Sequence, residues 1–195
     1  MTKAERTRHF IVEKAAPIIN RKGMAGTSIN DIVEATSLTK GSVYGNFESK
    51  DEICLEAFDY LVKRVGADMS QAMSRGTTSR EKLDALFSYY ISNVTGENNY
   101  GCPIMNFGTE ADDTNPAVKV KVNKAIVNTQ SVFAKIIRAG IESGEFKKTV
   151  DADAFAIKAF AMIEGGMWIA RLQGSPKQLL LIIDVLKQEI NDYCQ

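Results

Sequence analysis

Histidine is almost missing from this 195-residue chain: His9 is the single one. A metal site built on several imidazoles is therefore excluded, and no set of Cys, His and carboxylate stands at usable ligand spacing. A Cys–His nucleophile pair would have to bring His9, in the first helix, to Cys102 in the middle of the chain. No glycine-rich phosphate-binding loop is present. Cysteine is scarce and odd in number (Cys54, Cys102, Cys194), which fits a reducing compartment and not a disulfide framework. No stretch approaches the roughly 20 apolar residues of a bilayer span. The opening residues, Met1 to Arg8, are charged and have no apolar signal-peptide core behind them. These absences predict a cytoplasmic protein that is not an enzyme, holds no metal or cofactor and has no membrane partner.

Neither sign of charge is in excess, with 24 Lys and Arg against 24 Asp and Glu. The distribution is uneven. Residues 1–50 hold eight basic against five acidic side chains, and residues 51–195 hold 16 against 19. A basic N-terminal part on an acidic body places any polyanion at the N-terminal end. Strand signals are few. The one short alternation, Val118-Lys119-Val120-Lys121-Val122, sits inside a longer pattern in which Val118, Val122, Ala125, Ile126, Phe133, Ile136, Ile137 and Ile141 recur at helical spacing.

The fold class is therefore all-α, with about nine helices. They are predicted at about 2–21, 28–36, 39–45, 50–74, 79–95, 103–111, 116–143, 151–172 and 176–193. Breaks fall at Lys22-Gly23, Arg75 to Thr78, Gly96 to Gly101, Asp112 to Asn115 and Gly174-Ser175. Pro17 lies inside the first helix, where it should cost a backbone hydrogen bond. No internal repeat or linker separates the N-terminal part from the rest, so the domain boundary is expected within helix four, between residues 1–50 and 51–195.

The informative stretch runs from Gly26 to Phe47. Ser28 suits a helix cap, with Asp31 adding an acidic side chain to the first turn. Ile29, Ile32 and Val33 give that helix an apolar face, and Thr36-Ser37 supplies a turn. Leu38 and Val43 then anchor a second short helix whose outer face carries Thr39, Lys40, Ser42 and Tyr44. Small hydroxyls, one Lys and one Tyr suit a groove of phosphates and base edges.

In detail, Thr27-Ser28-x-x-x-Ile32 followed by Leu38-Thr39-Lys40-Gly41-Ser42-Val43-Tyr44-x-x-Phe47-x-Ser49-Lys50-Asp51-Glu52 closely resembles the DNA-binding motif of the TetR family. The resemblance covers residues 4–55 strongly and the rest as helical architecture. It departs at Ser37, where the turn usually has Gly, and at Asn46, where His is frequent. A Ser at that turn must tolerate a left-handed conformation at a cost of about 1 kcal/mol. The resemblance implies an N-terminal three-helix helix-turn-helix domain and a C-terminal helical ligand-binding and dimerisation domain. It implies DNA contacts from Ser28, Thr39, Lys40, Gly41, Ser42, Tyr44, Asn46 and Lys50. Read from the residues alone, Tyr44 could instead be core beside Phe47, Ser28 only a cap, and Lys40 and Lys50 merely solvated. Lys3, Arg6 and Arg8 could form a basic arm.

The partners implied are double-stranded DNA with a palindromic operator, a small-molecule inducer and a second copy of the chain. The function expected is that of a repressor released from its operator by that inducer. Helices 151–172 and 176–193 are apolar on more than one side, so a partner helix pair is expected against them, with Ile182 and Leu186 at the interface. Aromatics and Met of the body suit an apolar ligand site, with Phe87, Tyr90, Cys102, Met105, Phe133 and Trp168 as its candidates. Cys102 precedes Pro103 and would sit at a helix N-terminus, where the dipole lowers a thiol pKa. A buried, inert thiol is the alternative. Glu110 with Asp112-Asp113 reads as a solvated helix end, Cys54 as core and Cys194 as part of a frayed terminus.

Overall fold

A computed structural model describes residues 2–96 and 100–194. Among these residues there are nine helices: α1 Lys3–Lys22, α2 Ile29–Thr36, α3 Lys40–Tyr44, α4 Lys50–Met73, α5 Ser79–Thr95, α6 Pro103–Ala111, α7 Pro116–Glu142, α8 Ala152–Gln173 and α9 Lys177–Tyr193. Every one lies within two residues of its predicted position. The Val118–Val122 alternation is absorbed into α7, and the described residues hold no strand beyond one isolated bridge between Phe146 and Cys194. Among them, no helix is long and apolar enough to cross a membrane.

The caps explain why the bounds were legible. Thr2, Ser28 and Thr78 each accept a hydrogen bond from the third helical residue, whose carboxylate (Glu5, Asp31, Glu81) returns to the cap backbone. Such reciprocal capping satisfies two donors that a helix N-terminus leaves open. Pro17 does not stop α1, which continues to Lys22. The bond lost is the one to the Glu13 carbonyl, on a side where Glu13 and Lys14 are exposed.

The chain forms two compact units. One runs to Val65 and takes in Cys102–Asn123; the other holds Gly66–Gly101 and residues from Lys124 onward. Compactness therefore divides the chain differently from the expected 50/51 boundary: α4 is cut later, and α6 with the start of α7 joins the N-terminal helices. The reason is packing. In the first unit Ile11, Ala15, Ala16 and Ile19 of α1 are buried with Ile32, Val43, Phe47, Ile53 and Phe58. Phe107 of α6 meets Phe58 with ring centroids 5.2 Å apart, and Val118 and Val122 of α7 are buried too.

In the second unit α8 packs on α9, and α5 lies against both. Gly166 permits the α8–α9 approach: a Cβ there would stand 2.9 Å from Ile182 Cδ1 and 3.1 Å from Leu179 Cδ1. Glu145 closes the N-terminus of α5 by accepting from the amides of Ser79 (2.8 Å) and Arg80 (2.9 Å). The C-terminal end is not frayed as expected. Phe146 is fully buried, Lys147 N–H donates to the Tyr193 carbonyl at 2.8 Å, and Cys194 Sγ lies 3.4 Å from the Ile190 carbonyl.

The inner face of α9 is Leu179, Ile183, Leu186 and Ile190, all buried within the single chain. Leu186 was expected at a subunit interface; it belongs instead to the core of the monomer, because it stands on the face of α9 turned toward α8. Ile182 is half-buried beside Gly166. On α8 and α9 the large apolar side chains left in solvent are Leu180, Leu181, Val185, Ile157, Trp168 and Leu172.

Candidate nucleic-acid interface

The helix-turn-helix is α2, a turn and α3. Ser37 has φ 55° and ψ 23°, the left-handed conformation that the usual Gly would adopt more cheaply. Thr36, buried, donates its hydroxyl to the Ile32 carbonyl at 2.7 Å and so ties the end of α2. Thr39 Oγ1 accepts from the Ser42 amide at 3.1 Å and starts α3. Val43 and Phe47 point inward, with Val43 fully buried and Phe47 nearly so.

The opposite side of α3 is open. Thr39, Lys40, Gly41 and Tyr44 are exposed and Ser42 is half-buried. Tyr44 is 46% exposed, which decides between the two readings of its role: it is not core. Lys40 has no ion pair among the described residues. A Cβ on Gly41 would meet nothing nearer than Thr39 Oγ1 at 3.9 Å, so bare backbone is presented there. Asn46, half-buried, donates its side-chain amide to the Ser42 carbonyl at 2.8 Å and caps α3 from behind. Ser28 is exposed, and both its amide and its hydroxyl are engaged by Asp31. The Lys22 ammonium (2.5 Å), and after it Ser28, hold the Asp31 carboxyl well below the usual carboxylate range.

Two basic residues have partners within the unit. Arg8 is no part of a flexible arm: its guanidinium contacts Glu52 and Glu56 on α4, donates to the Asn46 carbonyl at 2.5 Å and lies 4.2 Å from the Phe47 ring centroid. The two carboxylates raise its pKa further, and Arg8 in turn lowers that of Glu52. The Lys50 ammonium is directed inward, donating to the carbonyls of Met24 (2.8 Å) and Thr27 (3.0 Å). Glu110 is likewise not a solvated helix end: it is half-buried and accepts from the amides of Met24 (2.5 Å) and Ala25. Asn106, one turn earlier on α6, donates to the Asn20 carbonyl (2.9 Å) and Oδ1 (3.1 Å). Sequence reasoning missed Asn106 and Glu110 as parts of this unit, and the links of Arg8 to Glu52 and Glu56; no local pattern marks them.

The ligand candidates are divided between the units. Phe87, Tyr90 and Phe133 are buried in the second unit, Tyr90 stacked on Phe133 with centroids 6.3 Å apart and planes 12° apart. The Tyr90 hydroxyl reaches Met69 Sδ at 4.0 Å. Trp168 stands apart from them, 55% exposed on the outer side of α8. Cys102 and Met105 are half-buried in the first unit, Cys102 at the N-cap of α6. All three cysteines are free. Cys54 is fully buried, and burial pushes its thiol up to about 11. Since the thiolate is the reacting species, native protein at neutral pH is expected to leave Cys54 unmodified by a maleimide until denaturant is added. Peptide mass mapping checks this; rapid labelling of Cys54 in folded protein contradicts the packing.

Two family models match the sequence. Residues 11–57 match "Bacterial regulatory proteins, tetR family" and residues 79–186 match "Tetracyclin repressor-like, C-terminal domain". A TetR-family transcriptional regulator from Cytophaga hutchinsonii has 35% sequence identity and a TM-score of 0.92, over 100% of this chain and 98% of that one. Another from Chloroflexus aurantiacus J-10-FL has 32% identity and a TM-score of 0.92 over the same shares. Among curated proteins, the HTH-type transcriptional repressor DhaR of Mycobacterium sp. (strain GP1) is 24% identical over 176 residues, covering 88% of this chain and 86% of the relative.

Proposed function

This chain belongs to the TetR family of bacterial transcriptional regulators, which bind DNA and are not enzymes, and from that premise we propose that it is a cytoplasmic repressor which binds a palindromic operator as a homodimer and leaves it when a small molecule binds. The observation that carries this reading is the surface of α3. A short helix, backed by buried Val43 and Phe47, offers Thr39, Lys40, Gly41, Ser42 and Tyr44 to solvent in one patch. Hydroxyls and an ammonium on a rigidly backed helix are what a groove of phosphates and base edges accepts. Residues 1–50 carry these contacts, and residues 51–195 carry ligand binding and dimerisation. Ser28 and Asn46 contribute as caps that aim the patch; both donors of Ser28 are engaged by Asp31, while Asn46 keeps one side-chain N–H for a phosphate.

Dimerisation is supported by the outer stripe of α8, where Ile157, Ala161, Gly165, Trp168 and Leu172 recur at helical spacing and are open or half-open. Leu181 and Val185 extend it on α9. Apolar surface of this extent on two neighbouring helices calls for cover, and a second copy supplies it by two-fold symmetry. On this reading Trp168 belongs to the interface. Buried Phe87, Tyr90 and Phe133 suit a mostly apolar ligand, while Cys102, the N-cap of α6, and Met105, on α6, belong to the other unit. Such a ligand releases DNA only by binding the DNA-incompetent arrangement more tightly than the competent one.

The test is a gel shift against the DNA flanking the protein's own gene. One shifted species with two-fold symmetric protection is expected. The protected half-sites should lie about one helical turn (roughly 34 Å) apart or somewhat more. Affinity should fall steeply with salt, because phosphate contacts release counterions. Salt-independent binding would count against the interface.

A further inference from the structure

We infer that Glu110 and Lys50 are positioning residues for DNA binding: acting as two jaws, they hold the backbone of Met24 from both sides and so fix the turn that delivers the helix-turn-helix. The inference rests on the α3 patch being the DNA-contacting surface. Glu110 takes the Met24 N–H at 2.5 Å and also the Ala25 N–H. Lys50 takes the Met24 carbonyl at 2.8 Å and the Thr27 carbonyl at 3.0 Å. An anion is thus matched to donors and a cation to acceptors on one short segment, and charge-assisted bonds of this kind are the stronger class.

The segment closes on itself through one bond, from the Thr27 hydroxyl to the Gly23 carbonyl at 2.7 Å, which leaves the Met24 and Ala25 amides unheld. It reads Gly23-Met24-Ala25-Gly26, and glycine populates many backbone conformations. Its residue type is nevertheless required at position 23. Gly23 has φ +82°, and a Cβ there would stand 2.9 Å from Glu110 Oε2. The glycine lets the carboxylate reach the amides, and the carboxylate removes the freedom the glycine introduces. Asn106 fastens α6 to the end of α1 one turn away through Asn20. The carboxylate jaw is therefore carried on a docked helix, and α6 is a working part of the DNA-binding unit. Lys50 is then a strut of that unit and not a phosphate ligand.

Amide hydrogen exchange of the full-length protein, read by mass spectrometry on peptides covering residues 20–28, tests the jaws without any DNA. Glu110→Ala and Lys50→Met are each expected to speed exchange in this segment by about tenfold, the scale of one lost charged hydrogen bond. Exchange in α1 at Ile11–Ala16 should stay as in the wild type. Glu110→Gln keeps one acceptor oxygen for two amides and no charge, and should restore only part of the protection.

A second arm measures anisotropy of a labelled duplex from beside the protein's own gene across a salt series. Both variants should bind about tenfold more weakly with an unchanged salt slope, whereas Lys40→Ala should reduce the slope by about one. Unchanged exchange at 20–28 in Glu110→Ala overturns the inference. So does acceleration spread evenly over α1, which marks a general packing role. A Lys50→Met variant with normal exchange and a slope reduced by about one makes Lys50 a phosphate contact and overturns its assignment as a jaw. If the wild type fails to bind the duplex, the operator reading fails, while the exchange arm still decides the jaws.

Discussion

Leu181→Glu is expected to yield a folded monomer, whereas Leu186→Glu is expected to yield no folded protein. The two leucines are five residues apart on α9, yet Leu181 is 65% exposed and Leu186 is 0% exposed. A carboxylate at 181 remains in water while the chain is single and is desolvated only when a second copy covers it. Burying an unpaired charge costs roughly 3–5 kcal/mol, which exceeds what one half of a helix-pair interface can lose. At 186 the same charge must enter the core beside Leu179, Ile183 and Ile190, and the cost falls on folding itself. Val185→Glu should behave like Leu181→Glu, being exposed on the same outer side. Sedimentation velocity and circular dichroism on the three variants decide the matter. A dimeric Leu181→Glu protein, or a well-folded Leu186→Glu protein, would show that the outer and inner faces of α9 have been exchanged. On the proposed mechanism the dimer has a further role, because release of DNA requires two recognition helices whose spacing a ligand changes.

The second large effect separates two aromatic neighbours. Phe47→Ala should destabilise the protein by about 3–5 kcal/mol, the usual cost of emptying a fully packed aromatic site. Its ring is 2% exposed and carries the Arg8 guanidinium on one side, so its loss also loosens the links from Arg8 to Glu52 and Glu56. Tyr44→Ala should change stability by less than about 0.5 kcal/mol, as exposed positions do. Its DNA affinity should instead fall by roughly tenfold or more, the scale of one lost base or phosphate contact of about 1–3 kcal/mol. Urea melts and DNA titrations made on the same preparations give both numbers. Should Tyr44→Ala melt early, or bind as the wild type does, the exposed side of α3 is not the contact surface.

These two pairs show why one residue's role is legible in the sequence and its neighbour's is not. Val43 anchors the inner face of α3, and Phe47, three residues past the end of that helix, is marked as core by its bulk and not by helical spacing. Tyr44 lies next to that face, and periodicity does not say whether a marginal position is covered. Leu181 and Leu186 pose the same difficulty more sharply. On a helix apolar over most of its circumference, spacing identifies a need for two partners without saying which side meets the chain's own core.

What the sequence by itself determined is whatever depends on residues within one turn of each other. Most helix ends among the described residues are of this kind, because caps such as Ser28 with Asp31 and Thr78 with Glu81 act over three residues; α6 and α9 start without a side-chain cap bond. The left-handed turn at Ser37 and the inward pair Val43 and Phe47 are of this kind too. Tertiary structure alone decided the rest. Arg8 finds Glu52 and Glu56 across 44 and 48 residues, Lys50 finds Met24 across 26, and Glu110 finds the same turn across 86. A charged side chain carries no mark of its partner at such separations, since the pairing exists only once hydrophobic packing has brought α1, α4 and α6 together. For the same reason α6 was read as part of the body: its sequence specifies a short amphipathic helix, and only the burial of Phe107 against Phe58 places it with the N-terminal helices.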